Sequence, residues 1–210
     1  MPMTNNRLLD HLLTGDYRAS SGIVKEMMDA SVPVHDIYEH LFKPAMYRIG
    51  ELWEENKISV ATEHLASAVV ESLLNQMYLN FRIPASSEKT VVVTCLENEY
   101  HQIGARMVAD LFELKGWKVL FLGANMPKND LLDFIHSIRP DLICISLSIY
   151  FHLPVLHTTI QKIRNGFPEL PILTGGQAFK RGGIDSIAKF KNIRYLPDLP
   201  SLENYLNATN

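Results

Sequence analysis

The stretch TVVVTCLENEYHQIG, Thr90 to Gly104, decides the fold. Its first seven residues, Thr90 to Leu96, are β-branched and apolar and are bounded by polar residues, the mark of a buried parallel strand. The polar loop Glu97 to His101 leads into a helical pattern running from about Gln102 to Lys115. The same alternation then repeats down the chain. A strand is expected over Lys118–Leu122, and Gly123 is expected to start a turn. Pro127 is placed to open a helix that extends to His136. DLICISLS, Asp141 to Ser148, reads as a third strand, and Leu153–Asn165 as the helix after it. LPILT, Leu170 to Thr174, reads as a fourth strand ending at Gly175 and Gly176. A weak helix near Ile184 and a short strand near Ile193–Leu196 complete five β-α units. Such alternation predicts an α/β fold, a doubly wound parallel five-stranded sheet of flavodoxin-like order, over residues 88–210. Ligands of these sheets sit at the carboxyl ends of the strands, so chemistry is expected in the loops after strands one, three and four.

The first 85 residues have a different period. Asn5–Leu13 and Tyr17–Ala30 read as short amphipathic helices, the second carrying Ile23, Val24, Met27 and Met28 on one side. Between Val34 and Asn56 the apolar positions recur in steps of three and four: Ile37, Leu41, Phe42, Ala45, Met46, Ile49, Leu52 and Trp53. Pro44 lies inside that run and is expected to kink or split it. Ser59 suits the N-cap of a fourth helix reaching about Phe81. Residues 1–85 therefore read as a four-helix bundle, joined to the α/β part by Ile83, Pro84, Ala85, Ser86 and Ser87.

Composition removes several classes. Of the 210 residues, 47% are hydrophobic and 20% charged, which suits packed cores rather than disorder. The formal net charge of -3 argues against a free-standing nucleic-acid binder. No apolar run is long enough to span a bilayer, and the N-terminus lacks the basic-then-apolar pattern of a signal peptide. The two cysteines, Cys95 and Cys144, fall inside strand-like runs and read as buried thiols, so a soluble, cytoplasmic protein is expected. Gly123 to Pro127 is too short for a phosphate-binding loop and lacks a lysine. No nucleophile elbow is present. His11, His136, His152 and His157 read as surface or loop residues.

The loops at the ligand edge carry one metal-binding idea. His101 is on an exposed loop with Glu99 two residues before it. A carboxylate that accepts one imidazole N–H fixes the tautomer and makes the other nitrogen a better metal ligand. Gly104 would let something bulky approach the start of the helix. After strand three come Ser146 and Ser148, separated by one residue and hence on one side of an extended segment. Gly175, Gly176 and Gln177 follow strand four. The separations are 41 residues from Gly104 to Ser146 (105–145) and 26 from Ser148 to Gly175 (149–174).

With these elements at these spacings, residues 88–200 resemble the cobalamin-binding domain of methionine synthase and methylmalonyl mutase. That family's pattern is Asp-x-His-x-x-Gly, then Ser-x-Leu, then Gly-Gly. The resemblance implies that His101 displaces the cofactor's dimethylbenzimidazole and binds cobalt from below, with Glu99 as its partner. Ser146 and Ser148 would line a slot for the displaced nucleotide tail, with Gly175 and Gly176 giving it room and Gly123 and Gln177 beside it. Two positions depart from the pattern. Glu99 replaces Asp, a carboxylate longer by one methylene, and Ser148 replaces Leu.

The helical part adds Trp53, nine residues (54–62), then Glu63 and His64. This resembles the cap of the CarH-type light-sensing regulators, where the same arrangement surrounds the adenosyl group of adenosylcobalamin and where Glu also occurs at the Glu99 position. The resemblance implies that Trp53 stacks over the adenosyl group while Glu63 and His64 contact its ribose or adenine. A charged Glu63 beside Ala61, Ala66 and Ala68 would be costly to bury without a ligand partner. In the light sensors a His follows the Trp. Here Glu54 does, leaving His35 or His40 as substitutes above the cobalt. No winged-helix segment precedes the bundle, so no direct nucleic-acid binding is expected, and no membrane association. The expectation is a sensor of adenosylcobalamin, favoured over methylcobalamin, acting through a protein partner or a homo-oligomer rather than as an enzyme. The alternative is a corrinoid methyl carrier of a methyltransferase system.

Overall fold

The computed structural model describes residues 2–85 and 88–209. The chain divides into two compact units at the Phe81/Arg82 boundary. Ser86 and Ser87 of the expected linker lie outside the described residues, and residues 82–85 before them are irregular.

The first unit is helical. α1 (Pro2–Thr14) buries Leu8 and Leu12, one turn apart. The Asp16 side chain caps α2 (Tyr17–Asp29), accepting from the Ala19 N–H at 3.0 Å, and α2 buries Ile23 and Val24. α3 (Val34–Ile37) runs into a π turn (Tyr38–Phe42) and on into α4 (Lys43–Glu54). Pro44 therefore does not split the helix. It has no N–H to give the carbonyl one turn back, and its ring would strike that carbonyl. The helix widens by one residue ahead of it instead, the Lys43 N–H donating to Tyr38 O five residues earlier. Tyr38 and Phe42, both fully buried, hold this turn in the core. α5 (Val60–Tyr78) starts at Ser59, whose Oγ accepts from the Thr62 N–H at 3.1 Å, and buries Ala66, Val69, Val70, Leu73, Leu74 and Met77.

The second unit is a five-stranded, all-parallel sheet of order β2-β1-β3-β4-β5. Its strands are β1 (Thr90–Leu96), β2 (Lys118–Met126), β3 (Leu142–Ser146), β4 (Ile172–Gly175) and β5 (Ile193–Tyr195). The crossover helices are α6 (Ile103–Leu114), α7 (Lys128–Ile138), α8 (Leu153–Gly166) and the short α9 (Ile184–Ile187). One apolar core joins Val92, Ile143, Ile145 and Ile172 of the sheet to Leu131 and Ile135 of α7 and to Leu156, Ile160 and Ile163 of α8. Burying side chains of this size stabilises by about 1.5–3 kcal/mol each. The order reverses between β1 and β3, so the loops after those strands part there and leave a crevice at their carboxyl ends.

Three local readings are corrected. β2 does not stop at Leu122 with a turn at Gly123. It continues to Met126 through two register shifts against β1, with Gly123 at φ +72° and Asn125 at +52° inside the bulged stretch. A last helix, α10 (Leu199–Thr209), follows β5 and buries Leu199, Leu202 and Leu206. Finally, β3 ends at Ser146, so Ser148 lies beyond the strand. Both cysteines are buried, as their strand-like contexts imply.

The Ser59 cap gives a direct check on the helical unit. Ser59→Ala is expected to lower unfolding stability by about 1 kcal/mol, read from the midpoint of urea denaturation at unchanged slope.

Candidate functional site

Glu99 follows β1 and is fully buried. Its Oε1 accepts from the His101 backbone N–H at 3.1 Å and lies 2.5 Å from His101 Nδ1. Its Oε2 accepts from the N–H groups of Ser148 and Ile149, at 2.9 and 3.0 Å, both in the loop after β3. One carboxylate therefore bridges the crevice at the point where the strand order reverses. The extra methylene of Glu over Asp does not stop it from reaching the imidazole. Burial alone would raise the Glu99 pKa, but the hydrogen bonds from the His101 ring, from Ile149 and Ser148 and from the His101 amide outweigh it. Together they hold the carboxyl down at about 2.

The His101 side chain is 55% exposed, with Nδ1 turned back to this carboxylate. Since an ionised carboxylate can only accept, Nδ1 carries the proton and Nε2 the imidazole lone pair. Beyond His101, Gly104 is exposed near the start of α6, with no atom within 4 Å of the place a Cβ would take. An imidazole oriented by a buried carboxylate, beside open space, is a donor suited to axial ligation of cobalt in a corrin. Among the described residues, no group of three or more His, Cys, Asp or Glu side chains could hold a metal ion by itself.

The bulged end of β2 supports this loop, which the sequence reading did not anticipate. The Asn125 N–H donates to Glu99 O at 2.9 Å, and the Asn98 N–H donates to Asn125 Oδ1 at 2.9 Å. Gln102 Oε1 accepts from the Ala124 N–H at 3.2 Å and would be met at 2.9 Å by a Cβ on Gly123. Gly123 therefore serves the bulge and Gln102 directly. Asn at two left-handed positions (98 and 125) was the available signal, since Asn tolerates that region best after Gly.

Ser146 and Ser148 are half-buried, with the buried Leu147 between them. Ser146 pairs with Cys95 across β1 and β3 and hydrogen-bonds its thiol. Burial first, and the Glu99 charge second, push that thiol up to about 12, with the Ser146 bond opposing. Gly176 has φ +112°, and a Cβ there would lie 2.2 Å from Leu147 O; one on Gly175 would lie 2.7 Å from Leu196 O. The chain's own backbone thus demands both glycines, before any ligand asks for room. Gln177 is exposed and opens the 3-10 turn Gln177–Arg181.

In the helical unit Trp53 is 47% exposed, so it is not a core aromatic of the bundle. Glu63 is half-buried and already has partners: its Oε1 accepts from Ser67 Oγ at 2.9 Å, and Oε2 lies 2.5 Å from His64 Nδ1. The expected cost of burying its charge is met within the chain. His64 itself is 75% exposed. Among the histidines read as surface or loop residues, His152 is only 20% exposed and lies by Glu99, and His157 Nε2 is 2.7 Å from Ser186 Oγ.

Fold and site together define a two-unit corrinoid-binding class of protein. Residues 4–78 match the family model of one B12 binding domain, and residues 89–182 match that of a second. The chain belongs to the family built from these two B12 binding domains. It is 28% identical over 159 residues to the HTH-type transcriptional repressor CarH of Myxococcus xanthus, a match covering 75% of this chain and 52% of that protein. It is 24% identical over 141 residues to trimethylamine corrinoid protein 1 of Methanosarcina mazei, covering 65% of each. The chain spans about half the length of the first of these relatives. Among solved structures, the Methanosarcina barkeri monomethylamine corrinoid protein superposes with a TM-score of 0.79 at 15% identity, over 100% of this chain and 99% of that one. That similarity shows the fold of a corrinoid protein. No helix among the described residues is long and apolar enough to cross a membrane.

The depressed Glu99 carboxyl makes a pH-dependent contribution to stability. Because its folded pKa lies below the ordinary 4.5, the stabilisation is complete above that value and is lost as pH falls through about 2. It amounts to about 3 kcal/mol at neutral pH. Glu99→Gln is expected to lower stability by that order at pH 7, with the gap to the wild type narrowing below pH 4.5, read by denaturant melts across pH.

Proposed function

We propose that this protein binds cobalamin with the cofactor's own base displaced, and that it serves as a light-responsive sensor of adenosylcobalamin acting through a protein partner or self-association. The observation that carries cobalamin binding is the buried Glu99 carboxylate holding Nδ1 of the exposed His101. His101 would hold the cobalt through Nε2, and Glu99 keeps the ring turned and raises its basicity. Ser146, Ser148, Gly175, Gly176 and Gln177 take the displaced nucleotide tail, while Gly104 leaves space at the helix start and Gly123 shapes the neighbouring strand end. Bound adenosylcobalamin supplies a cobalt–carbon bond that green light breaks. On the helical unit Trp53 would stack on the adenosyl group, with Glu63 accepting from its hydroxyl or amino groups and His64 hydrogen-bonding beside it. A signal requires contacts that differ between the two states of the cofactor, and these three residues are where they would differ. The similarity to a repressor named CarH over 159 residues supports the regulatory reading.

A second reading, a corrinoid protein passing a methyl group between methyltransferases, is favoured by the similarity to trimethylamine corrinoid proteins over 65% of the chain. In that role the same His101 and Glu99 tune the cobalt, and Trp53 has no ligand to cover.

Absorbance with adenosylcobalamin, in the dark and after green light, with sizing before and after, separates the two. A sensor changes both spectrum and size on illumination; cofactor binding with size indifferent to light favours the carrier. Trp53→Ala is expected to weaken adenosylcobalamin about tenfold relative to methylcobalamin, since stacking of a base on an aromatic ring contributes about 1–3 kcal/mol. Equal losses for both forms would remove Trp53 from the adenosyl site. His101→Ala is expected to change the visible spectrum of the bound cofactor, and an unchanged spectrum would exclude it as the axial ligand.

A further inference from the structure

The loop after β3 brings a second imidazole to the same carboxylate. His152 ends the 3-10 turn Tyr150–His152, just after the Ser148 and Ile149 amides that bond Glu99. Its Nδ1 lies 3.6 Å from Glu99 Oε2, is buried and makes no hydrogen bond. A buried nitrogen left without a partner costs about 1–3 kcal/mol, so its position needs a reason. The neighbouring carboxylate supplies one. A lone pair on Nδ1 would face the lone pairs of an ionised oxygen, so Nδ1 must carry the proton and point a donor at Oε2. At 3.6 Å that donor is just outside bonding distance, on a loop whose two preceding amides already hold the oxygen.

We propose that His152 is a positioning residue for His101, acting through Glu99: its Nδ1–H closes onto Oε2 and locks the carboxylate that orients the cobalt-binding imidazole. The two oxygens then divide the work. Oε1 serves His101, and Oε2 is held by Ser148, Ile149 and His152, all from the loop across the crevice. A Glu side chain has one more rotatable bond than Asp, so a third donor on the far oxygen removes freedom that the longer carboxylate would otherwise keep. The inference rests on the proposed role of His101 as the lower ligand, and its test includes a measurement that needs no cofactor.

Three proteins are compared: the wild type, His152→Leu, which fills the site without a donor, and His152→Asn, whose amide nitrogen replaces Nδ1. In the cofactor-free proteins, nitrogen NMR of the His101 ring reports its tautomer and order. With aquocobalamin, visible absorbance titration gives affinity and ligation state. His152→Leu is expected to mix the His101 tautomers and to weaken cobalamin binding about tenfold, the size seen when a ligand's hydrogen-bond partner is lost. His152→Asn is expected to restore both. If His101 signals and affinity in the Leu variant equal those of the wild type, or if Asn and Leu act alike, His152 only packs the loop and the proposal fails. If the NMR responds as expected but no variant, nor the wild type, binds cobalamin, the positioning stands and it is the cobalamin reading that fails.

Discussion

A carboxylate with no contact to water has to find its solvation inside the protein, and Glu99 finds it in four hydrogen bonds drawn from both sides of the sheet's crevice. Two come from its own loop after β1 and two from the loop after β3, residues 49 and 50 positions further along the chain. The second two form only when β1 and β3 are neighbours in the right register, with Cys95 opposite Ser146. The site is therefore a reporter of the fold's correct assembly. An unpaired carboxylate here would carry the full desolvation cost of a buried charge. The same constraint turns His101 outward: its backbone N–H and Nδ1 are both committed to Oε1, so the ring can present only its other edge.

The parts of this arrangement that were legible in the sequence are those with a local cause. Thr90–Leu96 reads as a strand because a sheet covered on both faces selects β-branched runs, and the observed bounds agree residue for residue. Ser59 reads as a cap because its hydroxyl acts within three residues. Gly123 shows the limit of such reasoning. A turn was expected there, but a turn and a bulge inside a strand can make the same demand for a positive φ on one residue, and the bulge is what is found. Only the pairing with β1, invisible in sequence, decides between them. Helix α10 has prolines at 197 and 200 about its start, and the sequence reading placed no element there. Asp198 caps it through the Ser201 N–H at 2.8 Å, and Pro200 sits in the first turn where its missing donor costs nothing.

His152 was out of reach for a different reason. Its partner is 53 positions away in sequence, and no spacing rule connects a residue at the end of a 3-10 turn to a carboxylate after another strand. The glycine pair is the converse case. Its positions in the motif were legible, but the reason for them was not: Leu147 O and Leu196 O take the space that side chains would need. A residue type that a ligand is thought to select can be required by the protein's own packing first. The Gly-Gly element is then weaker support for a bound tail than the His101–Glu99 pair is for a bound metal.

The two proposed roles would place the same demand for an oriented imidazole on the α/β unit, and the residues proposed to separate them are Trp53, Glu63 and His64 of the helical unit. There the residues are already arranged at low energetic cost. Glu63 divides its oxygens between His64 and Ser67, and an ion pair with one exposed partner, as His64 is, contributes only about 0–1 kcal/mol. Exchanging the exposed His64 for a ligand hydroxyl or amino group would therefore cost little, while Ser67 continues to hold the other oxygen. Trp53, half-exposed on α4, offers an apolar face whose burial under a flat adenine would be gained only with that ligand present. Glu54, next in sequence, offers carboxylate oxygens, harder donors than the imidazole nitrogen, where the light-sensor pattern has a histidine. A response built on these residues would thus depend on losing the stacked group, rather than on gaining a new bond to the metal.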